Sequence, residues 1–412
     1  MDAPESSSGK LQPQAWMTAP ETRKIMAVLN EDGGEARFVG GCVRNALVNR
    51  PVLDIDIATP LEPEDVIARL NKHKIAYAPI GLKHGTVTAI VDGRPYEITT
   101  LRLDVLTFGR HAEVKFTDDW KTDASRRDFT INTIYATADG DLYDPFGGIS
   151  DLRNGIVRFV GDPDKRINED VLRILRFFRF YAHFGRGMPD AAGVKACAMN
   201  AKQVSKLSAE RIRQEVLKLL AAENCTPTWL LMVNCGIVTH FLPEATNIEA
   251  LGRLVNLEKR HECPAFPLRR LAALLEITAS GLQHVISELK LSNEQAEQLS
   301  MMVHPDVSIS MRMTEPEVRK LVYQRGNSTA HSLLLLAAAR DHDPDALKRL
   351  YQTATSFRAP VFPLRGEDVL KMGVEAGPEI GRMLEWVEDW WVGEDFRPDR
   401  QACLAKMQAA MG

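Results

Sequence analysis

Residues 38–59 read FVGGCVRNALVNRPVLDIDIAT and combine a glycine pair, an arginine and two closely spaced aspartates. The Gly40-Gly41 pair can turn tightly with its backbone N–H groups exposed, which suits a phosphate oxygen, and Arg44 places a forked cation beside it. Strand alternation puts the Asp54 and Asp56 carboxylates on one face, where their repulsion favours a bound cation. Each motif alone is usually a turn or a solvated strand face. Together they predict a magnesium-dependent nucleotidyl-transfer site.

The composition of the 412 residues is that of an ordinary soluble globular protein, with 45% hydrophobic and 26% charged residues and a net charge of -4. The length predicts about two to four domains, and the charge predicts that any RNA contact comes from a local basic surface. Six cysteines without a C-x-x-C pair argue against structural zinc and disulfides and favour a reducing cytoplasm. Residues 1–19, which contain Ser and Pro, predict a flexible N-terminal arm and neither a signal peptide nor a membrane span.

Short strand-like segments indicate an α+β head over residues 20–150. Among them, Val87–Val91 and Tyr96–Thr100 predict a hairpin, since the intervening Asp92-Gly93 is a favoured turn pair. Between residues 101 and 125 the periodicity fades, which predicts a mobile loop.

The rest of the chain has the pattern of helices. We predict a helical neck over residues 151–225, with one continuous helix from 168 to 184, and a helical body and tail over residues 226–412. Basic residues accumulate where the neck meets the body and predict a contact with an RNA backbone, with a solvated helix face as the alternative. These are Lys195, Lys202, Lys206, Arg211, Arg213 and Lys218. Three tryptophans near the C-terminus favour packing of the tail over base stacking. They are Trp386, Trp390 and Trp391.

Two further segments carry side chains suited to nucleotide chemistry. Glu97, on the second strand of the predicted hairpin, is the candidate for a third carboxylate beside the aspartate pair, although it can also be a simple surface residue. The run Arg126-Arg127-Asp128 can place a guanidinium on a triphosphate while Asp128 accepts a hydrogen bond from ribose hydroxyls. The alternative is that these charges only flank the start of a helix. Two cations there, however, interact unfavourably with the positive end of the helix dipole and need a nearby anion.

An arginine stripe marks the segment from Glu169 onward, where Arg173, Arg176 and Arg179 recur every third residue among apolar neighbours. Asp170 and Arg173 are neighbours on that stripe, and a plain ion pair is one interpretation. The other is base recognition, because an acceptor beside a donor matches the edges of cytosine and adenine but not those of uracil and guanine. Arg176 and Arg179, set among phenylalanines, need an anion, and phosphate fits.

The order of these motifs resembles the class II tRNA nucleotidyltransferase and poly(A) polymerase family. The matching segments are GGCVRN, DIDIAT, KHGTV (83–87), YEITT (96–100), RRDFTIN, DPFGG, EDVLRILRFFRF and SAERI (208–212). The resemblance implies an α+β fold with a polymerase-β-like nucleotidyltransferase head, followed by an all-helical neck, body and tail. It also implies magnesium bound by Asp54 and Asp56. The residues themselves favour two such ions, with Glu97 as a further catalytic carboxylate.

Binding of the incoming nucleotide falls, by the same resemblance, to glycines, arginines and aspartates of these motifs. They are Gly40, Gly41, Arg44, Arg127, Asp128, Asp170, Arg173, Arg176 and Arg179. One departure is visible, since the family usually has Arg-Asp after the glycine pair and this chain has Arg44-Asn45. The side chain at position 45 therefore carries no charge.

The resemblance implies a CCA-adding enzyme, which transfers CMP and AMP from CTP and ATP to the 3′ end of tRNA without a template and releases pyrophosphate. The predicted loop at 101–122 supports this function, because members that switch from C to A use such a loop, and its cations here are Arg110, His111 and Lys115. A poly(A) polymerase, a partial enzyme that adds only CC or only A, and a noncatalytic RNA-binding relative are the alternatives. The acidic C-terminal residues disfavour a poly(A) polymerase, and no DNA or membrane partner is expected.

Overall fold

The computed structural model of the chain describes residues 9–79, 81–108, 111–341 and 344–410. It contains two compact units, one ending at Pro243 and the other beginning at Glu244. Every described strand lies in the first unit, and the second is helical. The predicted fold class, an α+β head followed by helices, is confirmed.

Two sheets organise the first unit. Its strands are β1 (Arg37–Val39), β2 (Asp56–Thr59), β3 (Ala76–Ala78), β4 (Thr86–Val91), β5 (Arg94–Thr100), β6 (Arg102–Phe108), β7 (His111–Phe116), β8 (Tyr135–Ala136) and β9 (Leu142–Tyr143). Seven of them form one sheet in the order β3-β4-β5-β2-β1-β8-β9, and β6 pairs with β7 in the other.

The described part of the first unit contains eleven α-helices, several of which begin with recognisable capping signals. They are α1 (Ala15–Thr18), α2 (Pro20–Leu29), α3 (Gly41–Leu47), α4 (Pro63–Lys72), α5 (Trp120–Ser125), α6 (Gly148–Asn154), α7 (Pro163–Glu169), α8 (Leu172–Phe184), α9 (Ala191–Met199), α10 (Ala209–Leu220) and α11 (Cys225–Asn234). Asp119, Asp162 and Asp190 accept backbone hydrogen bonds at the starts of α5, α7 and α9. Proline is the first residue of α2, α4 and α7, where no N–H is needed.

The central strand of the seven-stranded sheet is β2, which runs parallel to β5 and antiparallel to β1. Its register places Asp56 beside Glu97 of β5, so both carboxylates leave the same face of the sheet. Ile55 and Ile57 are buried on the other face, as the alternation predicts. The regular strand begins at Asp56, so Asp54 lies just before it.

The predicted hairpin of β4 and β5 is confirmed, and its turn residues Asp92 and Gly93 have positive φ angles of 50° and 79°. The predicted mobile loop over residues 101–125 is wrong, because β6 and β7 form a hairpin there and α5 follows. Backbone hydrogen bonds pair these strands and do not require an apolar alternation in the sequence.

Two of the three loop cations of the prediction lie on this second hairpin. His111 is the first residue of β7, and Lys115 of the same strand is exposed. Arg110 lies outside the described residues.

The predicted flexible arm is wrong for residues 9–19. The Leu11 N–H donates to the Gly140 carbonyl at 2.8 Å, which attaches the segment beside the sheet. Leu11 and Trp16 are buried, so burial of two apolar side chains offsets the loss of chain entropy. Residues 1–8 lie outside the described part of the chain.

A break between α7 and α8 replaces the predicted continuous helix over residues 168–184. Asp170 has an extended backbone with φ −148° and ψ 107°. Its carboxylate accepts the Leu172 N–H at 3.1 Å, a local bond that competes with helix continuation. The apolar period continues across the break, which is why the sequence pattern did not reveal it.

The second unit consists of α12 (Ile248–Arg260), α13 (Pro267–Leu274), α14 (Ala279–Glu288), α15 (Asn293–Val303), α16 (Glu315–Asp341), α17 (Pro344–Ser356), α18 (Gly366–Lys371), α19 (Pro378–Gly393) and α20 (Arg400–Ala409). Trp391 is 3% exposed in a core formed by α18, α19 and α20, as predicted. Trp386 is 47% exposed, and the Lys406 ammonium lies 4.9 Å from its ring centroid. None of the described helices is both long and apolar enough to span a bilayer.

A buried ion cluster joins α12 to α13 in this unit. Glu258 is 1% exposed and accepts hydrogen bonds from Arg269 Nε at 2.9 Å and from Arg270 Nε at 2.8 Å. Both arginines are themselves buried. Removing the carboxylate charge would leave two guanidinium groups facing each other away from water.

We expect Glu258→Gln to lower the free energy of unfolding by about 3 kcal/mol or more, because it removes the buried negative charge that both arginines share. Urea unfolding followed by circular dichroism measures the change. Glu297→Gln, the same exchange at an exposed position of α15, is the control and should stay within about 0.5 kcal/mol of the parent. Equal effects of the two variants would contradict the expectation.

Candidate active site

A polar cavity of about 480 Å³ in the first unit collects most of the predicted nucleotide-binding residues. It is lined by Gly40, Gly41, Arg44, Asp56, Arg102, Arg126, Arg127, Asp128, Asn132, Asp170, Arg173, Arg176 and Phe180. Six of these residues are arginines and three are aspartates. The lining therefore favours an anionic ligand.

The glycine pair connects β1 to the start of α3 at the edge of this cavity. Gly40 has a φ of 70°, a conformation that side chains with a Cβ rarely adopt. A Cβ there would lie 3.6 Å from the Arg127 guanidinium. The turn thus keeps backbone N–H groups at the start of a short helix close to a cation, as a phosphate-binding turn requires.

Arg44 extends from α3 into the cavity and has neutral partners. Its Nη1 donates to the Asn132 side-chain oxygen at 2.5 Å, and its Nη2 donates to the Asn45 side-chain oxygen at 3.0 Å. The rings of Phe180 and Phe184 lie 5.0 and 4.5 Å from its guanidinium carbon. Burial, and then the nearby arginines of α8, lower the pKa of Arg44 to about 10.

Asp123, at the end of α5, holds both arginines of the Arg-Arg-Asp motif. It is buried, and it accepts hydrogen bonds from Arg126 Nε at 2.8 Å, from Arg127 Nη2 at 3.1 Å and from the Tyr135 hydroxyl at 2.7 Å. Burial alone would raise the pKa of Asp123, but the two guanidinium groups and the hydroxyl lower it to about 2. The arginines are therefore oriented before any ligand binds.

Asp128 has a carboxylate whose hydrogen-bonding capacity is filled within the protein. One oxygen accepts from the Phe129 N–H at 2.9 Å and from Asn132 Nδ2 at 2.8 Å. The other accepts from Arg176 Nε at 2.7 Å and Nη2 at 2.5 Å. Since a carboxylate has about four acceptor positions, a ribose hydroxyl would have to displace one of these donors. In this structure Asp128 orients Arg176.

Asp170 and Arg173 both line the cavity, yet they are paired with other residues. Asp170 accepts both bonds from Arg211 Nη2 of α10, at 2.8 and 3.1 Å. Arg173 donates to Glu169 at 2.5 Å and to the Arg166 carbonyl at 2.9 Å. The break after α7 separates the two side chains, so the simple ion pair between them is not formed.

Arg179, the last residue of the arginine stripe, does not line the cavity. Its Nε donates to the buried Glu215 carboxylate of α10 at 2.5 Å. Glu215 also lies 4.0 Å from Arg176. One carboxylate from α10 thus balances the arginines that α8 brings close together.

The predicted metal face consists of Asp54, Asp56 and Glu97, of which only Asp56 reaches the cavity. Burial and then the Glu97 charge, with a smaller contribution from Asp54, raise the pKa of Asp56 to about 6. The described residues contain no group of three or more His, Cys, Asp or Glu side chains arranged to hold a metal ion. A cation here would therefore take its remaining ligands from water or substrate.

Several residues at the site were missed by the sequence interpretation. Asn132 lies within the quoted RRDFTIN motif, and its spacing of four from Asp128 was an available signal. Asp123 precedes Arg127 by four, which is ion-pair spacing on a helix. Arg102, at the start of β6, carried no signal because its segment was interpreted as a loop.

Two protein-family models match the chain. Residues 36–158 match the Poly A polymerase head domain. Residues 190–249 match the probable RNA and SrmB-binding site of polymerase A. The first match includes the glycine turn, the aspartate pair and the Arg-Arg-Asp motif.

Curated proteins extend the similarity over nearly the whole chain. The CCA tRNA nucleotidyltransferase 1, mitochondrial, of Mus musculus is 33% identical over 394 residues, which cover 93% of this chain and 88% of the mouse protein. The chain belongs to the CCA tRNA nucleotidyltransferase family. A bacterial relative is the CCA-adding enzyme of Limosilactobacillus fermentum, 30% identical over 93% of this chain and 94% of that protein. The family predicted from the motif order is confirmed, and the chain is a nucleotidyltransferase.

Solved structures of CCA tRNA nucleotidyltransferases share the fold. The Bacillus stearothermophilus CCA-adding enzyme in complex with CTP superimposes with a TM-score of 0.73 at 27% identity, covering 95% of this chain and 96% of that one. The Thermotoga maritima CCA-adding enzyme complexed with tRNA has a TM-score of 0.65 at 19% identity over 98% of this chain and 99% of the other. The second comparison supports the fold alone.

Because Asp56 is largely buried near the Glu97 and Asp54 carboxylates, we expect Asp56→Asn to increase stability by an amount that depends on pH. A folded-state pKa of about 6, above the usual 3.8, makes ionisation of Asp56 unfavourable to folding. The free-energy penalty of ionising Asp56 in the folded state is absent below about pH 3.8. It grows between pH 3.8 and about pH 6 and is constant at higher pH. In EDTA at about pH 7.5 we expect the free energy of unfolding to rise by roughly 1 to 3 kcal/mol, and clearly less at about pH 4.5.

Urea unfolding at the two pH values measures this difference. Asp139→Asn, in an exposed turn, is the matched control and should change stability by less than about 0.5 kcal/mol at either pH. A gain for Asp56→Asn that is the same at both pH values would show that the crowded charge is not its cause.

Proposed function

We propose that the chain is a CCA-adding enzyme, which transfers CMP and AMP from CTP and ATP to the 3′ end of tRNA and releases pyrophosphate. The observation that carries the proposal is one cavity that joins Asp56, the arginine cluster and the Asp170 and Arg173 side chains. Reaction centre, phosphate site and base site thus lie together. The names of the curated relatives and the CTP complex of the Bacillus enzyme support the same activity.

Magnesium is the cofactor that we propose for the carboxylate face, with Asp54 and Asp56 as its ligands. Magnesium prefers oxygen ligands and usually binds one or two protein carboxylates, with waters and substrate phosphates completing the shell. The raised pKa of Asp56 supports a cation there, because a positive charge would relieve its repulsion from Glu97 and Asp54. When bound, a pair of such ions would stabilise charge on the attacking and leaving oxygens.

The protein side chains then hold the reactants in place. In the transfer, the 3′ oxygen of the RNA bonds to the α-phosphorus as its proton leaves, and the bond to pyrophosphate breaks. We assign triphosphate binding to the Gly40-Gly41 turn, Arg44, Arg127 and Arg176, with Arg179 contributing charge from outside the cavity. Glu97 is the further catalytic carboxylate, placed beside Asp56 by the strand register.

Base choice is assigned to Asp170 and Arg173. An acceptor beside a donor matches the edges of cytosine and adenine and mismatches uracil and guanine. Each side chain is oriented by its own partner, Arg211 for Asp170 and Glu169 for Arg173. A protein surface would in this way replace a template strand.

The helical regions are assigned to substrate binding. We propose that residues 20–150 are the catalytic head, 151–225 the neck that recognises the nucleotide, and 226–412 the body and tail that bind tRNA. The family match over residues 190–249 supports RNA binding there, and exposed lysines in and near it suit a phosphate backbone. These are Lys195, Lys202, Lys206 and Lys218. Arg211 is better assigned to Asp170, with which it is paired.

A cytoplasmic location is our further proposal, supported by six free cysteines, which a reducing compartment preserves. Fractionation of the source cells with an antibody to the chain tests it. Recovery of the protein within an organelle would overturn it.

The test of the function is incorporation of each labelled triphosphate into a tRNA that ends at the discriminator base. We expect ordered addition of C, C and A in magnesium and no addition in EDTA. Asp54→Asn and Asp56→Asn should each lower the rate by more than about 100-fold, because each removes a proposed metal ligand. Asp139→Asn is the control and should keep full activity.

Other products would identify the alternatives. Long A tracts would indicate a poly(A) polymerase, a product stopping at CC or requiring CC would indicate a partial enzyme, and no transfer would indicate a noncatalytic relative.

Exchange of Asp170 or Arg173 for Ala should reduce the selectivity of the protein among nucleoside triphosphates. We expect discrimination of CTP and ATP against UTP and GTP to fall by about tenfold or more, since each bidentate contact is worth about 1 to 3 kcal/mol. Competition between labelled triphosphates measures the ratio, and magnesium dependence should not change. Arg153→Ala, at the exposed end of α6, is the control. Unchanged preference in both variants would make the base-edge assignment wrong.

A further inference from the structure

Arg44 differs from four other arginines that line the cavity. No carboxylate of the described residues lies within ion-pair distance of its guanidinium, although it is largely removed from water. Its partners are the amide oxygens of Asn45 and Asn132 and the faces of Phe180 and Phe184. By contrast, Arg126, Arg127, Arg173 and Arg176 each pair with a carboxylate. Arg44 therefore keeps its whole positive charge for a ligand.

Asn45 uses both ends of its side-chain amide. The oxygen accepts from Arg44 Nη2 at 3.0 Å and from Nε at 3.3 Å, and the nitrogen donates to the Pro51 carbonyl at 3.1 Å. Pro51 begins the segment that leads to Asp54. One neutral side chain thus ties the arginine on α3 to the segment that carries the first aspartate.

A carboxylate at position 45 could not make the same contacts. It has no N–H to donate, so it would face the Pro51 carbonyl with a negative oxygen. It would also pair with Arg44, as the Arg-Asp pair usual in the family can, and would offset part of the positive charge that this chain leaves for a ligand. An amide is therefore the side chain that both orients Arg44 and leaves it uncompensated.

Phe184, at the end of α8, also contacts the Arg44 guanidinium. The guanidinium carbons of Arg44 and Arg50 each lie over its ring, 4.5 Å from the centroid. Arg50 in turn donates to the His183 carbonyl at 2.6 Å. The aromatic ring stabilises two cations without neutralising either of them.

We propose that Asn45 is a positioning residue that holds Arg44 as an uncompensated cation for the triphosphate of the incoming nucleotide. The proposal rests on the proposed function for the identity of the nucleotide. It makes the uncharged residue at position 45 a determinant of phosphate affinity in this chain. Phe184 has a secondary role in the same arrangement.

Equilibrium binding of inorganic tripolyphosphate tests the proposal without tRNA or catalysis, because this probe has phosphates but neither base nor ribose. We expect Asn45→Asp to weaken binding by about tenfold, the effect of one charge-assisted bond. Asn45→Ala, which loses the orientation but adds no charge, should weaken it less. Asn49→Asp is the matched control, since it adds the same charge at an exposed position just after α3 and should bind as the parent does.

The relative affinities of the variants for tripolyphosphate decide whether the proposal holds. Binding by Asn45→Asp equal to the parent, or tighter than binding by Asn45→Ala, would overturn the proposal. If Asn45→Asp fails to fold, Asn45→Ala still tests the orienting role, because unchanged binding there would contradict it. Phe184→Leu should weaken binding by about fivefold and Phe184→Tyr should restore it, since the ring face is what Arg44 contacts.

Kinetics separate this proposal from the function itself. With CTP and with ATP, Asn45→Asp should raise KM by about tenfold and leave the preference for these bases unchanged. Should the parent fail to add nucleotides to tRNA, the proposed function would be wrong, while the tripolyphosphate measurement would still decide the role of Asn45. A loss of base preference in Asn45→Asp without a change in KM would refute the positioning role.

Discussion

The repulsion among guanidinium groups around one cavity is the constraint on which the site depends. Six arginines face a space of about 480 Å³, and each needs a partner while no ligand is bound. Carboxylates supply most of these partners, among them Asp128, Asp123 of α5 and Glu169 of α7. Arg44 is held by neutral amides and rings instead. The cavity is thus organised before binding and still has positive charge for an anion.

The fold brings together groups that lie far apart in the chain. The central position of β2 places Asp56 in a rigid part of the sheet, and the parallel register with β5 adds Glu97 beside it. The break at Asp170 turns α8 so that its arginines approach the Arg-Arg-Asp motif, with Arg176 bound to Asp128. The Arg-Arg-Asp motif and α8 are therefore joined by buried polar contacts, which fix their relative positions more firmly than exposed ones would.

Several features followed from local rules. The Asp92-Gly93 turn is predictable from the preference of that pair for positive φ angles. The burial of Ile55 and Ile57 between the more exposed Asp54 and Asp56 is predictable from the alternation of side chains along a strand. Periodicity predicts a loop where β6 and β7 form a hairpin, because strand pairing depends on a partner that periodicity does not reveal. The continuous helix was wrong because the Asp170 side chain caps α8 locally while the apolar period continues.

The sequence by itself determined the family, the α+β head with its helical continuation, and most of the residues around the cavity, since several motifs in a fixed order are far more specific than any one of them. Only the tertiary structure decided which charges pair. Asp170 binds Arg211 rather than Arg173, Asp128 is occupied by Arg176, and Arg44 has no carboxylate partner among the described residues. The physical reason is that ion pairing depends on distances of a few ångströms between separate elements, and the spacing of residues along one helix does not determine these distances.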